Sequence, residues 1–191
     1  MTDTLVFNPI AHRYSIGTRE LISVTQALTE AGLIDTRWFN DEAALRGSYV
    51  HQAILLHVEG DLADDQLDPV LQPYFAAYQR FLTESGFVVT ACETRLYDDI
   101  VGYAGTVDLV GTLNGRSAVI DIKTGHCPSW VSLQLAGYAR LLSKQYPGIQ
   151  RYALNLQADV TYRLHRFTDR HDEQVFLAAV AVTQWRRTHA R

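Results

Sequence analysis

Residues 103–123 read YAGTVDLVGTLNGRSAVIDIK, two alternating apolar runs joined by Asn114-Gly115. In that setting Asn-Gly is the strongest short-range hairpin signal, because a two-residue type I′ turn needs positive φ at both central positions. With those residues at the turn, Leu113 faces Arg116, and the numbers of each facing pair total 229. Asp108 then faces Asp121, and Thr106 faces Lys123. Strand alternation assigns Val107, Leu109, Ile120 and Ile122 to one face, which must be buried. It assigns Thr106, Asp108, Asp121 and Lys123 to the other.

Facing residues hold their Cβ atoms about 4.5–5.5 Å apart, and like charges there repel. Two carboxylates that close leave one with a raised pKa unless a cation lies between them. A hard divalent ion such as Mg²⁺ or Mn²⁺ suits an all-oxygen site of this kind. Phosphodiester hydrolysis uses such an ion to lower the pKa of water and to offset charge on the phosphoryl oxygens. A lysine beside the scissile phosphate orients or activates water and stabilises the transition state. Asp108, Asp121 and Lys123 supply those parts on one hairpin. The competing reading is a solvated strand face on which Lys123 merely neutralises the pair, and a bulge in either strand would break the register.

The segments around the hairpin set its context. Leu5–Ile16 reads as two short strands turning near Asn8-Pro9. Ser23 is the expected N-cap of a short helix, Val24–Ala31, stopped at Gly32. A longer helix is expected over Asp41–Val58, acidic at its start and ended by Gly60. An acidic loop covers 59–69, and Pro69 is expected to open a third helix to Ser85. Strands follow at Phe87–Tyr97, Tyr103–Leu113 and Ser117–Lys123, then a helix over Trp130–Gln145. Strands Arg151–Gln157 and Thr161–Phe167 precede a last helix, Asp169–Thr188. This order predicts an α/β chain with a mixed central β-sheet flanked by helices. We read 1–191 as a single domain: an N-terminal hairpin and helix (1–40), a core (41–167) and a C-terminal helix (168–191).

Composition narrows the function classes. The chain has 191 residues, 47% hydrophobic and 20% charged, as expected of a globular protein with a real core. No apolar run approaches the roughly 20 residues of a membrane span. The start lacks the basic and apolar regions of a secretory signal. Cys92 and Cys127 make neither a disulfide framework nor a four-ligand metal site, so a reducing, cytoplasmic setting is expected. The net charge of −4 is unevenly distributed. Residues 1–122 hold 7 Lys/Arg against 17 Asp/Glu; residues 123–191 hold 10 against 4, plus four histidines. A basic half is either a phosphate-binding footprint or a solvated surface.

Taken together, Gly105-Thr106-Val107-Asp108 and Asp121-Ile122-Lys123-Thr124-Gly125 resemble the PD-(D/E)xK nuclease superfamily, particularly its RecB-like and phage-exonuclease branch. Gln134-Leu135-Ala136-Gly137-Tyr138 is similar to that branch's Q-x-x-x-Y motif. Arg46-Gly47-Ser48-Tyr49-Val50-His51 is similar to its histidine-bearing helix, and Glu93 to an acidic residue on its first core strand. The likeness spans roughly residues 41–167 in matching element order. Val107 stands where the family name has proline, and the cysteines that hold an iron–sulfur cluster in some relatives are missing, so no cluster is expected.

The resemblance implies a restriction-endonuclease-like fold and a Mg²⁺- or Mn²⁺-dependent deoxyribonuclease. Asp108 and Asp121 would bind metal with His51 and the Ile122 carbonyl. Lys123 would act on the water and the phosphate, and Glu93 would hold a water at the ion or help bind a second one. Gln134 and Tyr138 would brace the site or contact the strand; Thr124 and Arg151 are further candidates for substrate binding. Each has a bland counterpart: a satisfied surface histidine, a Trp130–Gln134–Tyr138 packing stripe, an acid paired with an arginine. Gly47, one helical turn before His51, could clear space for substrate or metal. Arg163 and Arg166 cannot both face one groove on a regular strand. The expected substrate is DNA, as duplex ends or single strands, with exonuclease favoured over structure-specific endonuclease. A catalytically inactive nucleic-acid-binding module and a domain binding metal for structure or carbohydrate are the rival classes. A homo-oligomer or a larger recombination or repair partner is compatible with a chain this small; no membrane partner is expected.

Overall fold

A computed structural model of the chain describes residues 4–35, 40–63 and 67–189. Within the expected acidic loop, residues 64–66 lie outside the described residues. Strands β1 (Leu5–Asn8), β2 (Arg13–Ile16) and β3 (Arg19–Ser23) lead into helix α1 (Val24–Glu30). Helices α2 (Asp41–Glu59) and α3 (Gln72–Ser85) follow, then strands β4 (Val88–Asp98), β5 (Tyr103–Leu113) and β6 (Arg116–Lys123). Helix α4 (Val131–Leu142), strands β7 (Gln150–Leu156) and β8 (Tyr162–Phe167), and helix α5 (His171–His189) complete the order.

Local chemistry explains most of these bounds. Ser23 caps α1 in a reciprocal box: its hydroxyl accepts from the Gln26 amide at 3.1 Å, and the Gln26 side chain accepts from the Ser23 amide at 3.0 Å. Asn40 caps α2, and Gly60 ends it at φ 80°, the left-handed turn that glycine adopts without steric cost. Helix α3 begins three residues later than Pro69 suggested. Asp68 accepts from the Val70 and Leu71 amides and holds Pro69 in a turn, and Pro73 stands in the first helical turn instead. Strand β3 was not foreseen. It pairs antiparallel with β2 and parallel with β5 through Ile22–Tyr103 and Ser23–Ala104, so the N-terminal segment is part of the central sheet.

The sheet is mixed, running β1-β2-β3-β5-β6-β7-β8 with β4 on the other side of β5. One face carries α1, α4 and α5, through residues such as Leu28, Leu135, Tyr138 and Phe176. The opposite face carries α2 and α3, through Ile54, Tyr78 and Phe81 against Leu109, Ile120 and Leu154. Part of the basic C-terminal half binds α1, α4 and α5 to one another and to the sheet. Arg187 pairs with Glu30, Arg140 with Glu173 and Asp98, and Arg151 with Asp172. The charge asymmetry of the sequence is in these places an internal clamp.

Two irregularities position the candidate site. The first is a fork. On one edge of β5, β3 pairs only with Tyr103 and Ala104, and β6 only with Leu109–Leu113. Residues 105–108 lie between those two partners. The predicted register holds throughout the ladder, from Leu113–Arg116 to Leu109–Ile120, and stops one pair short of Asp108 and Asp121. The second is a slip in side-chain alternation. Val107 packs with Val110 and Val119 in the α4–α5 layer, not with Leu109, Ile120 and Ile122 as alternation required. Across from Asp108, Glu93 of β4 has φ 48°. β4 changes face at this point too, since Cys92 packs in the α2–α3 layer and Leu96 in the α4–α5 layer. Thr106 consequently does not face Lys123. It pairs with Arg95 of β4, and its hydroxyl lies 2.6 Å from Tyr14 Oη.

Candidate active site

At the fork, the last residues of β6 leave β5 and stay paired with β7 alone. Asp108 Oδ2 accepts from the Ile122 amide at 2.7 Å, replacing the backbone partner that a continued ladder would supply. Its other oxygen, Oδ1, lies 3.6 Å from His51 Nδ1, and Glu93 Oε1 lies 3.4 Å from the same nitrogen. His51 Nε2 is 3.1 Å from the Ile122 carbonyl oxygen. His51 sits on the α2 face whose neighbours Val50, Ala53 and Ile54 are buried, which fixes the helix and aims the ring across the sheet. The donor atoms of His51, Glu93 and Asp108 all lie within 4.8 Å of one another.

Electrostatics in this group is lopsided. Burial pushes the Asp108 carboxyl up to about 7; the His51 charge opposes this, while Asp121 and Glu93 reinforce it. Burial disfavours a charged His51, yet the carboxylates of Asp108 and Glu93 outweigh it and raise the imidazole to about 9. Both ring nitrogens face acceptors, so the imidazolium serves as the cation among these oxygens. The donor set comprises one imidazole, two carboxylates and a backbone carbonyl, and their mutual repulsion calls for positive charge. It fits a hard divalent ion that tolerates nitrogen, such as Mg²⁺ or Mn²⁺.

A second group lies beside the first. The Lys123 ammonium is 2.6 Å from Asp121 Oδ2, and Asp121 is fully buried. Lys123 also donates to Gln134 Oε1 at 3.2 Å, and Gln134 Nε2 donates to Tyr138 Oη at 3.1 Å. Burial alone would lower the lysine pKa, but the Asp121 and Asp108 carboxylates more than compensate and raise it. Gly105 makes room for this chain: a Cβ there would lie 2.8 Å from Tyr138 Cε1 and 3.1 Å from Val24 Cγ2. Gly137 likewise admits the Phe176 ring, 2.8 Å from the position of its missing Cβ. The Q-x-x-x-Y helix is thereby held against both β5 and α5.

Of the residues singled out in the sequence, the structure brings together His51, Glu93, Asp108 and the Ile122 carbonyl in one group. It brings Asp121, Lys123, Gln134 and Tyr138 together in the other. Asp121 is thus paired with the lysine and is not one of the three converging donors. Thr124 packs under α2, its carbonyl accepting from Arg46 Nη2 at 3.3 Å. A Cβ on Gly47 would meet Thr124 Oγ1 at 3.5 Å, an ordinary contact, so that glycine faces the Thr124 loop. Arg151 is not brought to the cluster. Its guanidinium is bound to Asp172, to the Ser132 carbonyl at 3.2 Å and to the Asp169 carbonyl at 2.6 Å. Two contacts escaped sequence reading. Trp130 lies with its ring centroid 5.5 Å from Lys123 Nζ, and Arg46 stacks over Tyr74 at 5.4 Å. The helical spacing of Trp130 with Gln134 was visible, but the cation over its ring was not.

No protein-family model and no curated protein matches the sequence. Solved structures do match the fold. A candidate exonuclease from Eubacterium rectale superposes with a TM-score of 0.57 at 15% identity, covering 87% of this chain and 79% of that one. An alkaline exonuclease from Laribacter hongkongensis aligns at 16% identity over 89% of this chain and 93% of its own, with a TM-score of 0.40. The first likeness establishes a shared α/β architecture: a mixed sheet between two helical layers.

Proposed function

We propose that this protein is a Mg²⁺- or Mn²⁺-dependent deoxyribonuclease of the PD-(D/E)xK superfamily, acting as an exonuclease on DNA ends or single strands. The observation that carries the reading is the convergence of His51, Glu93 and Asp108 beside a buried Asp121–Lys123 pair. His51, Glu93, Asp108 and the Ile122 carbonyl would hold the ion. When bound, it would lower the pKa of water and offset charge on the phosphoryl oxygens.

The chain's own residues then have distinct tasks. Asp108 joins the two groups: one oxygen fixes the Ile122 backbone while the other faces His51. Asp121 neutralises Lys123 and sets its direction. The lysine carries three N–H donors; two are directed to Asp121 and Gln134, and the third can reach a phosphate oxygen that gains charge during cleavage. Gln134 and Tyr138 restrict the lysine to one position, which preserves that geometry through the reaction. Residues 41–167 form the catalytic core in this reading, with α5 bracing it.

Digestion of end-labelled single- and double-stranded DNA with Mg²⁺, Mn²⁺ or EDTA tests the proposal. Metal-dependent release of short products from linear DNA is expected, with closed circles left intact. Cutting of circles would refute strict exonuclease action, and cutting undiminished in EDTA would refute the metal mechanism. Full turnover by folded Asp121→Ala and Lys123→Ala variants would refute the assignment of the site.

A further inference from the structure

The rows of the sheet continue past the candidate active site. In the β6–β7 register Asp121 faces Ala153 and Lys123 faces Asn155. In the β7–β8 register Ala153 faces His165 and Asn155 faces Arg163. Facing residues project to the same side of a sheet. Arg163 and His165 therefore stand in the same two rows as Lys123 and Asp121, two strands away, or about 10 Å at the usual spacing between strands. A cleft of about 480 Å³ lies here, between the loop after β6 and the end of the sheet. Its walls include His126, Cys127, Asn155, Gln157, Arg163 and His165, and no carboxylate lines it among the described residues.

The cleft's polar groups divide by what they already hold. The buried Asn155 donates to the Gly125 carbonyl and accepts from Gln157, which fixes the loop and the floor. Arg163 and His165 are exposed on the edge strand. The acid nearest in sequence to Arg163, Asp159 in the β7–β8 turn, feels the Arg163 charge but is hydrogen-bonded to Thr161, accepting from its amide at 3.1 Å and its hydroxyl at 2.5 Å. Arg166 falls on the other parity, with Tyr162 and Leu164 of the α2–α3 layer. The concave, cationic surface thus continues the face on which Lys123 stands.

We infer that this cleft binds a backbone phosphate of the DNA strand, held by Arg163 and His165, within about three stacked nucleotides of the one beside Lys123. That distance follows from a rise of about 3.4 Å per nucleotide. The inference rests on the nuclease reading and adds to it the path the strand takes away from the reacting phosphate. Guanidinium donors match phosphate oxygens in pairs, and such bonds set register and affinity without reading sequence.

Fluorescence anisotropy of a labelled oligothymidylate 20-mer in EDTA, across a salt series, tests it. The Arg163→Ala/His165→Ala variant is expected to bind about tenfold more weakly, with the salt slope smaller by about 0.7 for each phosphate it no longer neutralises. Arg163→Lys alone should recover most of the affinity, because the charge remains. In the unaltered protein, the oligonucleotide should slow alkylation of Cys127 severalfold, a readout that needs no variant to fold. Equal affinity and slope in the double variant, or no protection of Cys127, while the unaltered protein binds and cuts DNA, would overturn the cleft assignment alone. If the unaltered protein neither binds nor cuts DNA, the nuclease reading fails and takes the cleft with it.

Discussion

The two halves of the candidate site are built on opposite electrostatic terms. On the α4 side every charge has a partner: Asp121 holds Lys123, Lys123 donates to Gln134, and Gln134 donates to Tyr138. On the α2 side, Asp108 and Glu93 converge on one imidazole, and Asp108 is pushed up to about 7 by burial and by its acidic neighbours. The first half carries its own counter-charge as folded. In the second, two carboxylates share one imidazolium, which only partly offsets their repulsion. Such division is expected where a fixed donor must meet a ligand that comes and goes, because preorganisation and ligand binding require opposite local balances.

The largest expected effect concerns activity, and both halves are needed for it. Lys123→Ala should lower kcat by about 10²–10³-fold, the usual consequence of removing one donor to developing charge. Asp108→Asn should lower it at least as far by weakening the hold on the ion. Steady-state cleavage of end-labelled DNA across a Mn²⁺ titration separates them: raising Mn²⁺ should partly restore Asp108→Asn and leave Lys123→Ala unchanged. Equal rescue of both would erase the distinction between the halves.

Stability should respond in opposite directions. Asp121→Asn removes the charge that compensates a largely buried ammonium, and is expected to destabilise the protein by about 1–3 kcal/mol. The ammonium keeps some access to solvent, which places the cost below that of breaking a fully buried pair. Asp108→Asn should leave metal-free stability unchanged or raise it at pH 8. The carboxyl's folded pKa is above its ordinary value, so above about pH 7 its charge disfavours the native state. The asparagine oxygen can still accept from the Ile122 amide. Denaturant melts of both variants in EDTA decide the matter, and destabilisation by both would mean that the α2 half is satisfied as well.

The pH dependence follows from the same contrast. Asp108 is raised to about 7 and His51 to about 9, so between their ordinary values and these the folded protein binds more protons than the unfolded chain. Metal-free stability should therefore fall as pH rises from about 4 to 9. Divalent metal at the proposed site would replace those protons, so the rise in Tm on adding Mn²⁺ should be larger at pH 8.5 than at pH 6. A thermal-melt matrix of pH against metal reads this directly, and a metal-induced shift independent of pH would contradict it.

The sequence discloses these two halves unequally, for physical reasons. The Asn114-Gly115 turn dictates a local register, and every pair of the resulting ladder was legible in it. What ended the ladder was not local. Strand β3 arrives from the N-terminal segment to occupy the far part of β5's edge, and it is short and half polar, without a clear period. The slip in alternation coincides with positive φ at Glu93 on the neighbouring strand, a conformation its residue type does not announce. Alternation alone puts Val107 on the face of Leu109, and tertiary pairing overrides it. His51 and Glu93 were legible only through resemblance, since neither lies on the hairpin. Arg151 shows the converse: a basic residue on a late strand looks available for phosphate until α5, distant in sequence, supplies Asp172.

The smallest effect should come from the far end of the satisfied half. Tyr138 does not touch Lys123; it accepts from Gln134, which in turn accepts from the lysine. Tyr138→Phe keeps the ring that Gly105 accommodates and removes only the hydroxyl, leaving a buried Gln134 N–H without its partner. The expected cost is about 1 kcal/mol in stability. If the chain serves to position the lysine, kcat should also fall, by about threefold to tenfold, with KM little changed, because the lysine loses restriction and not its charge. Gln134→Ala, one bond closer, should lower kcat further. A Tyr138→Phe variant that loses stability but keeps full kcat would show that the Q-x-x-x-Y helix braces the fold without reaching the chemistry, and that the satisfied half ends at Gln134.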